Sequence, residues 1–158
     1  YHVDGHRACN VRLTPSETRR RNGICPQCVK PVTVGVLSRV DKLADRNDGF
    51  VPPRAPTFRR IVPLAETIAE AFGVASVTKR VREQYERLTR EVGSEFHILL
   101  DAPLDAIARA ASLEVVEAIR RVRAGELDIA PGYDGEFGTV HVFSEERPRP
   151  IARQHALL

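Results

Sequence analysis

Three cysteines and a histidine fall into two pairs of like spacing, His6-Arg7-Ala8-Cys9 and Cys25-Pro26-Gln27-Cys28, fifteen residues apart. Two intervening residues let both side chains of a tight turn point at one ion. Two such turns supply the four ligands of a tetrahedral zinc site. Every cysteine of the chain is used this way. Free buried thiols, or a disulfide with one thiol left over, are the competing readings. The disulfide needs an oxidising compartment, and Tyr1-His2-Val3-Asp4 begins with no basic region leading into an apolar core, so a cytoplasmic setting is expected. His2 is close enough to substitute for His6, although spacing favours His6. His97, His141 and His155 have no cysteine near them in sequence and are read as structural or solvated.

A site filled by four protein ligands has no open position for water, which makes this zinc structural and not catalytic. The zinc deaminases also use a cysteine pair, but their His-x-Glu element is missing, with Ala8 where the Glu would stand and Ile24 in place of the Pro before Cys25. There is no phosphate-cradling Gly-rich loop with Lys and Ser or Thr, no Gly-x-Ser-x-Gly elbow and no second cluster of His and carboxylates. No catalytic residue is therefore expected in this chain.

Arg19, Arg20 and Arg21 lie between the two pairs, with Arg7 and Arg12 beside them. Residues 1–60 hold 12 Lys or Arg against five Asp or Glu, whereas residues 61–158 hold 12 against 16, so the positive potential is concentrated at one end. Only Lys30, Lys42 and Lys79 of the 24 basic residues are lysines, and guanidinium pairs with phosphate through two parallel bonds. An Arg-rich codon usage and a solvated basic face account for the same residues without a ligand. Phosphate binding is favoured because a metal-pinned helix would hold these groups together. A glycine-rich stretch, Gly132-Tyr133-Asp134-Gly135-Glu136-Phe137-Gly138, reads as a turn, and as a nucleic-acid contact if it presents Tyr133 or Phe137 for stacking on a base.

The elements that must position these groups can be read from pattern. With 158 residues, 28% charged and 42% hydrophobic, the chain has the size and composition of one ordinary domain or two small ones. No apolar run is long enough to span a membrane, and no membrane partner is expected. The absence of methionine marks the chain as a piece of a longer polypeptide. Residues 1–35 cannot build much of a hydrophobic core, and residues 1–46 are expected to form a zinc-binding module. Within it Thr14-Pro15-Ser16-Glu17 is a capping box that starts a short helix ending at Asn22-Gly23. Val32 to Leu37 reads as a strand, and Ser38 as the cap of a helix through Val40, Leu43 and Ala44.

The prolines of residues 47–57 make that stretch a linker. Residues 58–143 are expected to be a helical, DNA-engaging domain closed by a terminal hairpin. Ile61, Leu64, Ile68 and Phe72 form one helical face, which stops at Gly73. Val77, Val81, Tyr85, Leu88 and Val92 form another, capped by Ser76 and braced by Glu83 with Arg87 and Glu86 with Arg90. Phe96 to Leu100 fits a strand or a helix equally. Further helices fall near 104–111 and 115–123, and Val140 to Phe143 alternates as a strand. Residues 144–158 read as a loosely held tail. The fold class is α+β: a small zinc-binding module followed by a mainly helical domain with a C-terminal β-hairpin.

Taken in order, Tyr1 to Cys9, Gly23-Ile24-Cys25-Pro26-Gln27-Cys28, Thr33 to Leu37, Leu43-Ala44-Asp45-Arg46 and Pro131 to Gly138 resemble the C-terminal half of the endonuclease Q family over about residues 1–143. These proteins carry an N-terminal polymerase and histidinol phosphatase (PHP) domain and are also described as helicase-related. The resemblance implies a DNA-repair endonuclease that nicks 5′ of deaminated bases or abasic sites. Its reactive metals would belong to the PHP domain, which this chain lacks. The implied partners are DNA and that N-terminal PHP catalytic domain of the same polypeptide. A zinc-ribbon adaptor for protein partners is the alternative, and an independent hydrolase a third reading.

Overall fold

The computed structural model describes residues 2–47 and 49–143, so the expected tail from Ser144 lies outside the described residues. Seven helices and two small antiparallel strand pairs among the described residues make the fold α+β. It divides into two compact units. The first comprises the described residues up to Thr57 together with Ile129–Val140, and the second Phe58–Asp128 with the described residues from His141 onward.

In the first unit β1 (Asp4–His6) pairs antiparallel with β2 (Val11–Leu13), His6 opposite Val11, and a single 3-10 turn over Arg7–Cys9 joins them. Helix α1 (Pro15–Arg20) follows with the expected capping box. The Glu17 carboxylate accepts the Thr14 N–H at 2.8 Å while Thr14 Oγ1 accepts the Glu17 N–H at 3.3 Å. The expected strand over 32–37 does not form. Only single-residue bridges occur there, Ile24 with Pro31 and Gly5 with Thr33, and helix α2 (Val36–Leu43) begins instead. The cause is Asp4, fully buried, whose carboxylate accepts the Gly35 N–H at 2.7 Å and the Ser38 hydroxyl at 2.6 Å. A carboxylate from β1 thereby supplies the capping anion that α2 lacks locally, and Ser38 serves it instead of capping the helix itself. Gly35 also lies so close to β1 that a Cβ there would sit 2.5 Å from the Val3 carbonyl oxygen.

The second unit is built on α3 (Leu64–Phe72), α4 (Lys79–Glu91), α5 (Glu95–Leu100), α6 (Leu104–Ala110) and α7 (Leu113–Ala124). Helix α3 starts after Pro63 and not at Ile61, because Pro63 bars helical backbone at the residue before it; Gly73 ends it with φ 65°. Helix α4 starts at Lys79 behind Thr78, which leaves Val77 92% exposed. Its i,i+4 ion pairs are Lys79 with Glu83 and Arg87 with Glu91, one turn offset from the expected ones, and Arg90 also pairs with Glu91. Ser94 accepts the His97 N–H and settles 95–100 as a helix. Strand β3 (Asp128–Ala130) pairs with β4 (Thr139–His141) as the terminal hairpin, whose residues Ile129–Val140 belong to the first unit.

Leu64, Ile68, Val81, Leu88, Ile98, Ile107, Val115, Ile119 and Val122 make one continuous core. Ile119, wholly buried on α7, leaves a void in this core when truncated. Ile119→Ala is expected to destabilise the second unit by about 2–5 kcal/mol in denaturant unfolding; a loss below about 1 kcal/mol would contradict this packing.

Candidate metal centre and nucleic-acid interface

The 3-10 turn brings His6 and Cys9 together. A second turn is held by the Cys25 N–H on the Lys30 carbonyl at 2.8 Å and the Val29 N–H on the Cys25 carbonyl at 3.0 Å, with Val29 at φ 60°. The two turns converge. The ligand atoms of His6, Cys9, Cys25 and Cys28 all lie within 4.8 Å of one another, and His6 Nδ1 is 3.3 Å from Cys28 Sγ. A zinc tetrahedron with Zn–S bonds of about 2.3 Å has edges of about 3.8 Å, so the four atoms can close on one ion with small shifts. This is the group of three or more His, Cys, Asp or Glu that can hold a metal ion among the described residues, and His2 is not part of it. The thiols are all free of disulfides.

Burial of Cys25 opposes its ionisation, but N–H groups of Cys28 and Gln27 with the side chains of Cys28 and His6 outweigh it and draw the thiol down to about 6. Cys9 is pushed up to about 11, first by hydrogen bonding to Cys28 and then by burial. The thiolate is the form that binds a metal ion, and the lowering at Cys25 is in that direction. Around the ligands, Val11, Leu13 and Val32 form a core in which Cys25 is itself a member.

The arginines differ in their availability. Arg20 and Arg21 are exposed and form no ion pair among the described residues. Arg19 is paired with Asp41 of α2, so its charge is partly spent. Arg7 lies 3.8 Å from Glu136, and the Arg12 guanidinium stacks 4.7 Å above the Tyr133 ring.

Tyr133 and Phe137 part company. Tyr133, expected as a base-stacking candidate, is only 3% exposed, and its hydroxyl donates to Asn10 Oδ1 at 2.8 Å; its ring lies against Gly5 and under the Arg12 guanidinium. Phe137 is 97% exposed. Asp4, Asn10 and Asp134 were missed in the sequence. The Asp134-Gly135 turn pair was visible there, yet its role was not: Asp134 accepts the Arg7 N–H at 2.6 Å and the Thr33 hydroxyl. Those two donors hold its carboxyl below the usual range.

Among the described residues no helix is long and apolar enough to cross a membrane. Residues 63–126 match the family described as the MJ0043 C-terminal domain. Over 140 residues, 89% of its length, the chain is 31% identical to the uncharacterized protein MJ0043 of Methanocaldococcus jannaschii, of which it spans 18%. It is similar to the lesion-specific endonuclease PfuEndoQ from Pyrococcus furiosus, with 33% identity and a TM-score of 0.76 over 89% of this chain and 34% of that one. It is also similar to endonuclease Q in complex with a 27-mer duplex substrate bearing an abasic lesion, with 32% identity and a TM-score of 0.70 over 92% of this chain and 36% of that one. The chain therefore resembles endonuclease Q in sequence and structure, while spanning about a third of the length of those solved chains.

Proposed function

We propose that this chain is the zinc-stabilised, DNA-binding portion of a DNA-repair endonuclease that nicks 5′ of deaminated bases or abasic sites, working with a PHP catalytic domain of the same polypeptide. The observation that carries the reading is the likeness, at 33% identity, to a lesion-specific endonuclease over nearly the whole chain. Three thiols and an imidazole suit zinc in a structural role, and a cytoplasmic setting would keep those thiols reduced. Arg12, Arg20 and Arg21 would take phosphates, Arg7 and Arg19 to a smaller extent because of Glu136 and Asp41, and of the two aromatic candidates Phe137 is the one left open for a base.

A second reading, a zinc-ribbon adaptor for protein partners, draws on α2, whose Val36, Val40 and Leu43 are all more than half exposed along one face.

The test uses the chain with a labelled duplex carrying a single abasic site. Binding without nicking is expected, even with manganese or magnesium, because four protein ligands close the site. Nicking that survives repurification and disappears on changing a residue of this chain would overturn the division of labour. Absence of binding at low salt would favour the adaptor.

A further inference from the structure

The hairpin that carries Phe137 is fastened through its turn and leaves Phe137, just after that turn, bare. Its turn is closed by the Tyr133 N–H on the Glu136 carbonyl at 3.1 Å and the Glu136 N–H on the Tyr133 carbonyl at 2.7 Å, with Asp134 at φ 40° and Gly135 at φ 83° between them. Those two positive φ values match the twist of a tight hairpin. Below the turn the two arms nearly touch. A Cβ on Gly132 would meet the Glu136 carbonyl oxygen at 2.7 Å, and one on Gly138 the Ala130 carbonyl oxygen at 2.8 Å, so the loop has little room to shear.

Its fastenings reach the metal-holding turn directly. Asp134 takes the N–H of Arg7, which stands between His6 and Cys9, and the Tyr133 hydroxyl reaches Asn10, the residue after Cys9. The Tyr133 ring lies against Gly5, where a Cβ would run into the ring and stand 2.5 Å from the Val11 carbonyl oxygen. The Gly132 carbonyl accepts the N–H groups of His2 and Val3 at 2.9 and 3.0 Å. Arg7 and Arg12 stand beside the turn, against Glu136 and Tyr133, and Phe137, the next residue along, is almost fully exposed to solvent. Cations beside a bare aromatic side chain match the two parts of a DNA backbone step: phosphates beside the groove, and a gap between bases into which an apolar side chain can be pushed.

We propose that Phe137 is a wedge whose ring enters the base stack where stacking is already interrupted, and that Tyr133 and Asp134 are positioning residues tying it to the metal-holding turn. The inference rests on the DNA-binding reading above. An intact step must be unstacked before a ring can enter, whereas an abasic position presents the gap ready made. The wedge thereby favours damaged over intact duplex without reading a base edge.

The chain contains no tryptophan, so Phe137→Trp places a single indole at the exposed position. The experiment titrates this variant with an abasic duplex and with the intact duplex of the same sequence, following indole emission and, separately, the anisotropy of labelled DNA. Strong quenching with the abasic duplex and little with the intact one is expected. Phe137→Ala should bind the abasic duplex about tenfold more weakly and the intact duplex unchanged. Asp134→Ala or Tyr133→Phe, added to the Trp variant, should reduce the quenching while metal content by elemental analysis stays at that of the parent.

Binding seen by anisotropy with no change in emission would overturn the wedge and leave DNA binding standing. Equal quenching by both duplexes would overturn its preference for an interrupted stack. Undiminished quenching in both positioning variants would refute the tie to the metal turn. No binding by the unmodified chain at low salt would remove the DNA-binding reading, and the wedge with it.

Discussion

Removal of the metal by a chelator at neutral pH is expected to unfold the β1, β2 and α1 region while the helices α3 to α7 stay folded. The apolar core around the ligands is too small to hold that region by itself. That core is Val11, Leu13, Cys25 and Val32 with Cys9 and Cys28 against them, so half of that small cluster are ligands themselves. Burying an aliphatic side chain contributes about 1.5–3 kcal/mol, and three of them barely offset the cost of ordering some thirty residues. A structural zinc site of this kind contributes roughly 10–16 kcal/mol at neutral pH. The second unit, by contrast, owns a continuous core with ten fully buried Leu, Ile and Val side chains from Leu64 to Val122, a cluster that contains no candidate ligand.

Backbone amide resonances of residues 4–33 should therefore collapse on chelation and return with added zinc, while those of α3 and α7 hold their positions. Cys25→Ser, which removes the most buried ligand, should have the same effect permanently. Unchanged dispersion for residues 4–33 in protein shown by elemental analysis to hold no metal would refute this account.

Affinity for duplex DNA should fall by roughly 100- to 1,000-fold between 50 and 200 mM salt, as expected when four or five guanidinium groups displace condensed counterions. Arg20 and Arg21 carry the clearest part of this expectation, since neither is paired with a carboxylate among the described residues. Replacing either with Ala should lower the slope of log affinity against log salt by about one unit, equally on every sequence. Arg19→Ala should change it less, because Asp41 already answers its charge. The helical unit is a poorer source of phosphate contacts: Arg120 and Arg121 are engaged by Glu117, Arg120 also by Glu126, and Arg109 by Asp105. The Arg20→Ala, Arg21→Ala double variant, measured beside the parent at three or more salt concentrations, decides the matter. Equal slopes would take α1 off the DNA surface, and tight binding insensitive to salt would point to an interface of buried apolar anchors.

The features legible from sequence are those governed by a few covalent bonds. The two-residue spacing of His6 with Cys9 and of Cys25 with Cys28 already sets each ligand pair on one turn, and Thr14 with Glu17 writes its capping box within a single turn of helix. Gly73 ends α3 for the same local reason, and the period of Leu64, Ile68 and Leu88 marks residues that do reach the core. Tertiary structure decided everything that depends on a partner far along the chain. Asp4 turns an apparent strand into the start of α2 from 31 residues away, and Asp41 claims Arg19. Asn10 and Gly5 draw in Tyr133 from more than 120 residues away, so that of two aromatic side chains four positions apart one is buried and the other bare. Local pattern carries no trace of such choices, because burial and charge pairing are settled by which surfaces meet, and residue type alone leaves Tyr133 and Phe137 equally suited to either fate.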